Sequence, residues 1–194
     1  MKEVTLSMAS NGITKKAIAG AMKQIMQETP FDRITTADIL RVSNISRKTF
    51  YYHFRDKYDV VNWIFETEIL DNILECSTLD SWHEASYRMC RYFRQNCAFY
   101  KNAVNASGQN CFIQFLHVMV TGQMERLCRE AREQKVIDDG DFIFLVEFYY
   151  GAFIGVFIPW VKSDMCEDPD KLVRRWIGVT DKTLEHYIQS RQSK

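Results

Sequence analysis

The sequence predicts an all-α protein. Glycine and proline, which most often interrupt helices, number only 8 and 3 among 194 residues. Apolar residues recur at intervals of three and four along most of the chain, the periodicity of helices with one buried face. The composition, 46% hydrophobic and 26% charged, is typical of a folded globular domain and excludes a disordered or collagen-like chain.

The first helix is predicted over residues 14–28. Its apolar positions Ile18 and Met22 lie at helical spacing, and Pro30 follows its end. The preceding residues 1–12 lack the apolar segment of a signal peptide, and we expect them to form a short flexible tail.

Two short helices joined by a tight turn follow the first helix. Thr35-x-x-Asp38 resembles a capping box and opens a helix that ends near Ser43. Asn44 can adopt the left-handed conformation that ends a helix, and Ser46 can cap the next one. This pattern predicts a helix-turn-helix.

The remaining chain predicts a C-terminal bundle of helices. A fourth helix begins near Asp56 and joins residues 13–58, which contain the helix-turn-helix, to residues 59–194. The spacing of apolar residues predicts further helices over 82–95, 96–104, 108–134, 139–162 and 168–190.

The neutral net charge hides an asymmetry. Residues 1–60 contain ten Lys or Arg against six Asp or Glu, a net charge of +4, whereas residues 61–194 contain 15 against 19, a net charge of −4. The N-terminal part is therefore the candidate for an anionic partner. Ser46 to Phe54, SRKTFYYHF, supplies two cations, hydroxyls at the helix start and tyrosines whose tips can reach phosphate oxygens.

The segment ITTADILRVSNISRKTFYYHFRDKYDVV resembles the DNA-binding end of TetR-type transcriptional regulators. The resemblance covers residues 13–65, and its TFYYHF-x-x-K core is specific. Asn44 stands where the family usually has Gly, and Val60-Val61 replaces a usual Leu. The chain also resembles one branch of this family, which includes activators of dihydroxyacetone-kinase operons. It shares with that branch its length, the sequence TFYYHF…WIFE and a Pro-Trp pair near the C-terminal end.

The resemblance implies a role for each polar residue of the motif. Thr35 and Thr36 would cap the first motif helix against a phosphate, and Phe50 and Phe54 would be core anchors. Arg47, Lys48 and Tyr51 would face base edges, whereas Thr49, Tyr52, His53 and Lys57 would grip the DNA backbone. The expected DNA-binding residues are Thr35, Thr36, Ser46, Arg47, Lys48, Thr49, Tyr51, Tyr52, His53 and Lys57.

The same resemblance implies a cytoplasmic homodimer on an inverted-repeat operator in double-stranded DNA. Two recognition helices roughly 34 Å apart match successive major grooves. Residues 13–58 would be the DNA-binding domain and residues 59–194 the effector-binding and dimerisation domain, on which a small molecule or a partner protein would act, with no cofactor. The expected dimer-interface residues are Phe148, Gly151, Ile154, Gly155, Leu172, Trp176, Leu184 and Ile188.

Other functions have weaker support. Residues 142–161 are long and apolar enough to cross a membrane, but Glu147 and Pro159 interrupt them and no Lys/Arg cluster flanks them. A helical adaptor that has lost DNA binding is the alternative to the regulator, and an enzyme is the third class, since no catalytic or metal-ligand motif is present. The six cysteines form no CxxC pair, which predicts buried thiols in a reducing cytosol.

Overall fold

The computed structural model describes residues 2–70, 79–108, 111–134 and 136–192. Every regular element in these ranges is helical, so the predicted all-α class is confirmed. The nine α-helices of this part are α1 (Lys2–Ile25), α2 (Thr36–Ser43), α3 (Arg47–His53), α4 (Lys57–Phe65), α5 (Leu79–Gln95), α6 (Cys97–Val104), α7 (Phe112–Glu133), α8 (Asp139–Lys162) and α9 (Pro169–Gln192). A 3₁₀ turn covers Phe31–Arg33, and a π turn covers Glu66–Leu70.

Helix α1 begins earlier than the sequence predicted. The backbone of residues 2–12 is helical, whereas a flexible tail was expected. The segment contains no proline, and the cost of Gly12, about 1 kcal/mol relative to alanine, is too small to end a helix by itself.

The helices form two compact units. The first unit contains Met1–Glu68 and Ala98–Phe112, and the second contains Ile69–Cys97 and Ile113–Lys194. The sequence placed the division after residue 58 and assigned α6 to the C-terminal domain. In the structure α4 and α6 belong to the first unit, because their apolar side chains pack in its core.

The core of the first unit surrounds the anchor residues of α3 and α4. Phe50 of α3 is fully buried, and Phe54 packs edge-on against Trp63 at 5.8 Å between ring centroids. Phe65 at the end of α4 lies in edge-on contact with Phe112, at 5.3 Å. The resemblance assigned Phe50 and Phe54 to the core, and burial of both side chains confirms this.

The helix ends of the motif form as predicted. The Thr35 hydroxyl accepts a hydrogen bond from the Asp38 amide, and the Asp38 carboxylate accepts one from the Thr35 amide, which completes a capping box. Asn44 adopts the left-handed conformation with φ 54° and ψ 35°. Ser46 caps α3 by accepting a hydrogen bond from the Thr49 amide.

The second unit contains α5, α7, α8 and α9. Arg91 of α5 forms a two-armed ion pair with Asp170 of α9, with both N–O distances 2.7 Å. Phe93 of α5 packs edge-on against Phe157 of α8 at 4.9 Å. The Tyr149 hydroxyl of α8 donates to the Thr180 carbonyl of α9 at 3.2 Å. Ring packing and polar contacts therefore hold these helices together.

Helix α8 is long and apolar enough, by length and composition, to cross a membrane. It carries nine buried residues that face its own unit, among them Phe153 and Phe157. Such burial is typical of the core helix of a globular domain.

The cysteine prediction is correct only in part. Among the described cysteines, Cys90 and Cys128 are buried, and burial raises the pKa of these thiols to about 12 and about 11. Cys97 and Cys111 are half-buried and Cys166 is exposed. Cys76 lies outside the described residues.

The left-handed conformation of Asn44 generates a stability prediction. Replacing Asn44 by Ala should lower the free energy of unfolding by about 1 kcal/mol. The left-handed backbone conformation brings Cβ close to the following carbonyl oxygen, and alanine lacks the short polar side chain with which asparagine compensates for this. Asn44→Gly should be neutral or stabilising, since glycine adopts this conformation freely. Urea denaturation measures both variants. The control is Asn105→Ala, at a position without a positive φ, and equal effects of Asn44→Ala and Asn44→Gly would contradict the explanation.

Candidate nucleic-acid interface

The exposed face of α3 carries cations and tyrosines. Arg47 and Lys48 at the start of the helix are exposed, as are Tyr51 and Tyr52, which are 50% and 77% exposed. Phe50 points to the opposite side and is fully buried. The buried anchor fixes the rotation of the helix, so these four side chains all face solvent.

The hydroxyl groups at the helix starts are committed to local hydrogen bonds. The hydroxyls of Ser46 and Thr49 lie 2.8 Å apart. The Thr35 hydroxyl donates to Asp38 at 2.6 Å, and this bond is the largest cause of the lowered pKa of the Asp38 carboxyl. Thr36, the first residue of α2, is half-buried. Thr35, Ser46 and Thr49 therefore stabilise the helix ends.

Lys57 differs most from its expected role. Its ammonium donates to the carbonyl oxygens of Phe31 and Ile34, both at 2.8 Å, and of Asp32 at 3.3 Å. It also lies 4.5 Å from the centre of the Phe31 ring. An ammonium has three donor N–H bonds, and all three are used within the protein. In the free protein Lys57 therefore holds the turn before α2, whereas the sequence predicted a contact with a DNA phosphate.

His53 ends α3 and is half-buried. Burial, and secondarily the positive charge of Lys15, hold the pKa of His53 below its usual 6.5. Its ring lies edge-on to Tyr52 at 5.0 Å. His53 is therefore mostly neutral at pH 7 in the free protein, and it can donate one N–H to a phosphate.

Lys15 is a residue that the motif analysis did not single out. Its ammonium lies 5.2 Å from the centre of the Phe54 ring and 5.5 Å from that of Trp63. These contacts place a cation of α1 close to the C-terminal end of α3. The basic pair Lys15-Lys16 in the sequence was the available signal, but only the packing of α1 shows that Lys15 lies near His53.

The expected dimer-interface residues divide into two groups. Phe148, Gly151 and Gly155 are exposed, and no atom lies within 4 Å of a Cβ built on either glycine. Three others, Ile154, Trp176 and Ile188, are half-buried. Leu172 and Leu184 are buried, at 9% and 7% exposure, so most of each side chain packs in the core of its own unit and offers little surface to a partner. The face of α9 that they occupy is turned inward.

Comparisons with known proteins agree with this geometry. Residues 18–63 match the family described as bacterial regulatory proteins, tetR family, and residues 80–182 match the transcriptional regulator C-terminal region. The second match alone covers more than half of the chain. The chain belongs to the TetR family of regulators.

Individual relatives share part of the sequence or the fold. The HTH-type dhaKLM operon transcriptional activator DhaS of Lactococcus lactis subsp. lactis (strain IL1403) is 33% identical over 101 residues, which cover 52% of this chain and 54% of the relative. The chain therefore matches this curated relative over about half of the relative's length.

Two solved structures share the TetR fold of this chain. The dihydroxyacetone kinase operon activator DhaS has a TM-score of 0.67 at 22% identity, over 89% of this chain and 97% of its own. A TetR transcriptional regulator from Streptococcus agalactiae 2603V has a TM-score of 0.60 at 22% identity, over 90% and 97%.

The environment of His53 generates a prediction for an NMR titration. The pKa of His53 should lie below 6.5 in the free protein and rise when duplex DNA binds, because a phosphate favours the protonated ring. The complex then binds more protons than the free protein, so DNA affinity should rise as the pH falls through this range.

The control for this titration is Lys15→Gln, which should raise the pKa of His53 in the free protein by removing a like charge. A His53 pKa that DNA leaves unchanged would place the ring away from the phosphates.

Proposed function

We propose that this TetR-family protein binds double-stranded DNA in a sequence-dependent manner through α3 and thereby regulates transcription. The observation that carries the proposal is the arrangement of Arg47, Lys48, Tyr51 and Tyr52 on one exposed face of a helix that Phe50 anchors. A short helix with cations at its N-terminal end suits entry into the major groove. Arginine can bond guanine with two N–H groups, which makes Arg47 the first candidate for base recognition.

The other expected contacts are assigned by position. Tyr51 shares the exposed face of Arg47 and Lys48 and is proposed to reach base edges. Tyr52 and His53, at the end of α3, are proposed to contact phosphates. The helix starts at Thr35 and Ser46 offer amide groups that attract anions, with Thr36 and Thr49 beside them.

The proposed assembly is a homodimer formed through α8 and α9. Phe144 and Phe148 of α8 stack at 5.9 Å between ring centroids, although they are 59% and 51% exposed. Gly151 and Gly155 continue this surface and would allow close approach of a second helix. Phe148 and Gly155 also line an apolar groove of about 800 Å³, together with Val156, Trp176 and Val179 among others. Contiguous exposed apolar side chains favour a protein partner, and a two-fold partner would match an inverted-repeat operator.

Control of DNA binding is proposed to arise in the second unit, through a small molecule or a partner protein. The partial relative DhaS is described as a transcriptional activator, so activation is the proposed sign of regulation for this chain. The protein is proposed to act in the cytoplasm, without a cofactor and without enzymatic activity. An adaptor that lacks DNA binding is the second candidate, but the exposed cations and tyrosines of α3 favour DNA.

Selection of bound fragments from random duplex DNA tests the function. We expect enrichment of an inverted repeat, and an affinity that falls steeply with salt, because cations release counterions from the phosphates. Arg47→Ala should weaken binding to the selected operator by about 1–3 kcal/mol and leave binding to random duplex nearly unchanged.

Lys57→Met tests a residue that holds the turn, for comparison with Arg47→Ala. Methionine keeps the apolar stem of Lys57 but loses the three hydrogen bonds to the turn. The variant should therefore bind the operator more weakly without lowering the slope of log affinity against log salt. Failure of the wild-type chain to enrich any sequence would argue for the adaptor.

The dimer is tested by sedimentation equilibrium. Phe148→Glu should convert the dimer to a monomer, because it places a charge in the centre of an apolar interface. Val118→Glu is the matched control: Val118 of α7 is 62% exposed and lies on no proposed interface. Dissociation by both variants, or by neither, would contradict the proposed surface.

A further inference from the structure

Two aromatic rings hold the ammonium group of Lys15 in place. The rings are those of Phe54 and Trp63, with centres 5.2 and 5.5 Å from the Lys15 nitrogen. Phe54 is buried and packs edge-on against Trp63, so the surface under the ammonium is part of the core of the first unit. Ring faces attract a cation, and Lys15 is itself half-buried. Its side chain is therefore positioned before any partner binds.

The positive charge of Lys15 is not neutralised by the protein. Within the described residues no carboxylate forms an ion pair with it. Other lysines of the first unit differ. Lys23 of the same helix pairs with Glu68 at 3.0 Å, and the ammonium of Lys57 donates to three backbone carbonyls. Lys15 is thus fixed by packing but keeps its charge for a partner from outside the chain.

Two further hydrogen-bond donors lie at the C-terminal end of α3. His53 directly precedes Phe54, and its ring lies edge-on to that of Tyr52 at 5.0 Å. Tyr52 is 77% exposed. In the part of the chain that the structure describes, neither the His53 ring nor the Tyr52 hydroxyl forms a hydrogen bond. An imidazole N–H and a phenol O–H are therefore available near the Lys15 ammonium.

The surroundings of these three donors favour an anion. Burial, and then the positive charge of Lys15, lower the pKa of His53, and no carboxylate acts on it. A cation next to hydrogen-bond donors without an acidic group attracts a negatively charged oxygen. The phosphate groups of duplex DNA present such oxygens, and most polar contacts between proteins and DNA are made to phosphate and sugar.

We propose that Lys15, Tyr52 and His53 together bind one phosphate group of the DNA backbone, and that Lys15 supplies the charge of this site. The inference rests on the proposed DNA-binding function. The site lies at the end of α3 opposite to Arg47 and Lys48. A phosphate bound there would fix how α3 is placed in the groove, because backbone contacts set the register of a recognition element.

The test compares Lys15→Met with Lys16→Met in the full-length chain. Both variants lose one positive charge from neighbouring positions of α1. Methionine keeps an unbranched apolar side chain that packs well on the Phe54 and Trp63 rings. Lys16 is the matched control, because it is exposed and has no ring contact among the described residues. The probes are the selected operator and a random duplex of equal length, each measured over a series of salt concentrations.

Lys15→Met should bind the operator and the random duplex about tenfold more weakly, by the same factor for both, since a phosphate contact does not distinguish sequences. The slope of log affinity against log salt should become smaller by about 0.9 for each protomer bound. Lys16→Met should lose less than about twofold and keep the wild-type slope. Lys15→Arg retains a cation over the rings and should also keep that slope.

A double-mutant cycle with His53→Ala tests whether the side chains share one phosphate. If they do, removal of Lys15 weakens the contact that His53 makes. The double variant should then lose less affinity than the product of the two single losses, by a factor of about three or more. Losses that multiply would assign the two side chains to separate phosphates and overturn the shared site. Urea denaturation verifies that each variant folds, and Lys15→Gln replaces Lys15→Met if that variant does not.

The outcomes separate this inference from the proposed function. Wild-type binding with the same salt slope for Lys15→Met overturns the inference alone. Equal reductions of the slope by Lys15→Met and Lys16→Met also overturn it, because they indicate attraction to net charge only. Binding without an enriched operator overturns the sequence-dependent function, while the slopes on random duplex still decide the phosphate site. Failure of the wild type to bind any duplex overturns both.

Discussion

The recognition helix is too short to be stable by itself, and the rest of the first unit compensates for this. Helix α3 has seven residues, whereas isolated helices shorter than roughly 12–15 residues are marginal in water. Its stability comes from the buried Phe50 anchor, the Ser46 cap and the left-handed Asn44 that ends α2. The orientation of the exposed side chains of α3 is therefore a property of the whole unit, and every contact that fixes the unit helps to place them.

Lys57 illustrates how a basic residue can serve the protein rather than the partner. Burial lowers the pKa of its ammonium, and the nearby Asp32 acts in the opposite direction. The three carbonyl acceptors and the Phe31 ring replace the water that the ammonium loses. The positive charge that remains exposed on α3 comes from Arg47 and Lys48. A count of cations in the sequence thus overestimates the number available to phosphates.

The features that the sequence predicted correctly depend on local chemistry. The Thr35 capping box, the Asn44 conformation and the Ser46 cap each involve residues within three or four positions of one another, so a pattern is enough to find them. The burial of Leu172 within its own unit and the place of α6 in the first unit could not be predicted in this way. An apolar stripe shows that one helical face is covered, but not whether its own unit or a second copy covers it. The hydrogen bonds of Lys57 could not be predicted either, since its acceptors lie more than 20 positions away in the sequence.

The path of the chain determines which residues complete the first unit. It passes from one unit to the other after residues 68, 97 and 112, so three covalent connections join them. The segment between the second and third connections contains Asn102, which holds the turn before α2. The turn that leads into the helix-turn-helix therefore depends on residues more than 70 positions further along the sequence, so the first unit is complete only when both of these parts of the chain are folded.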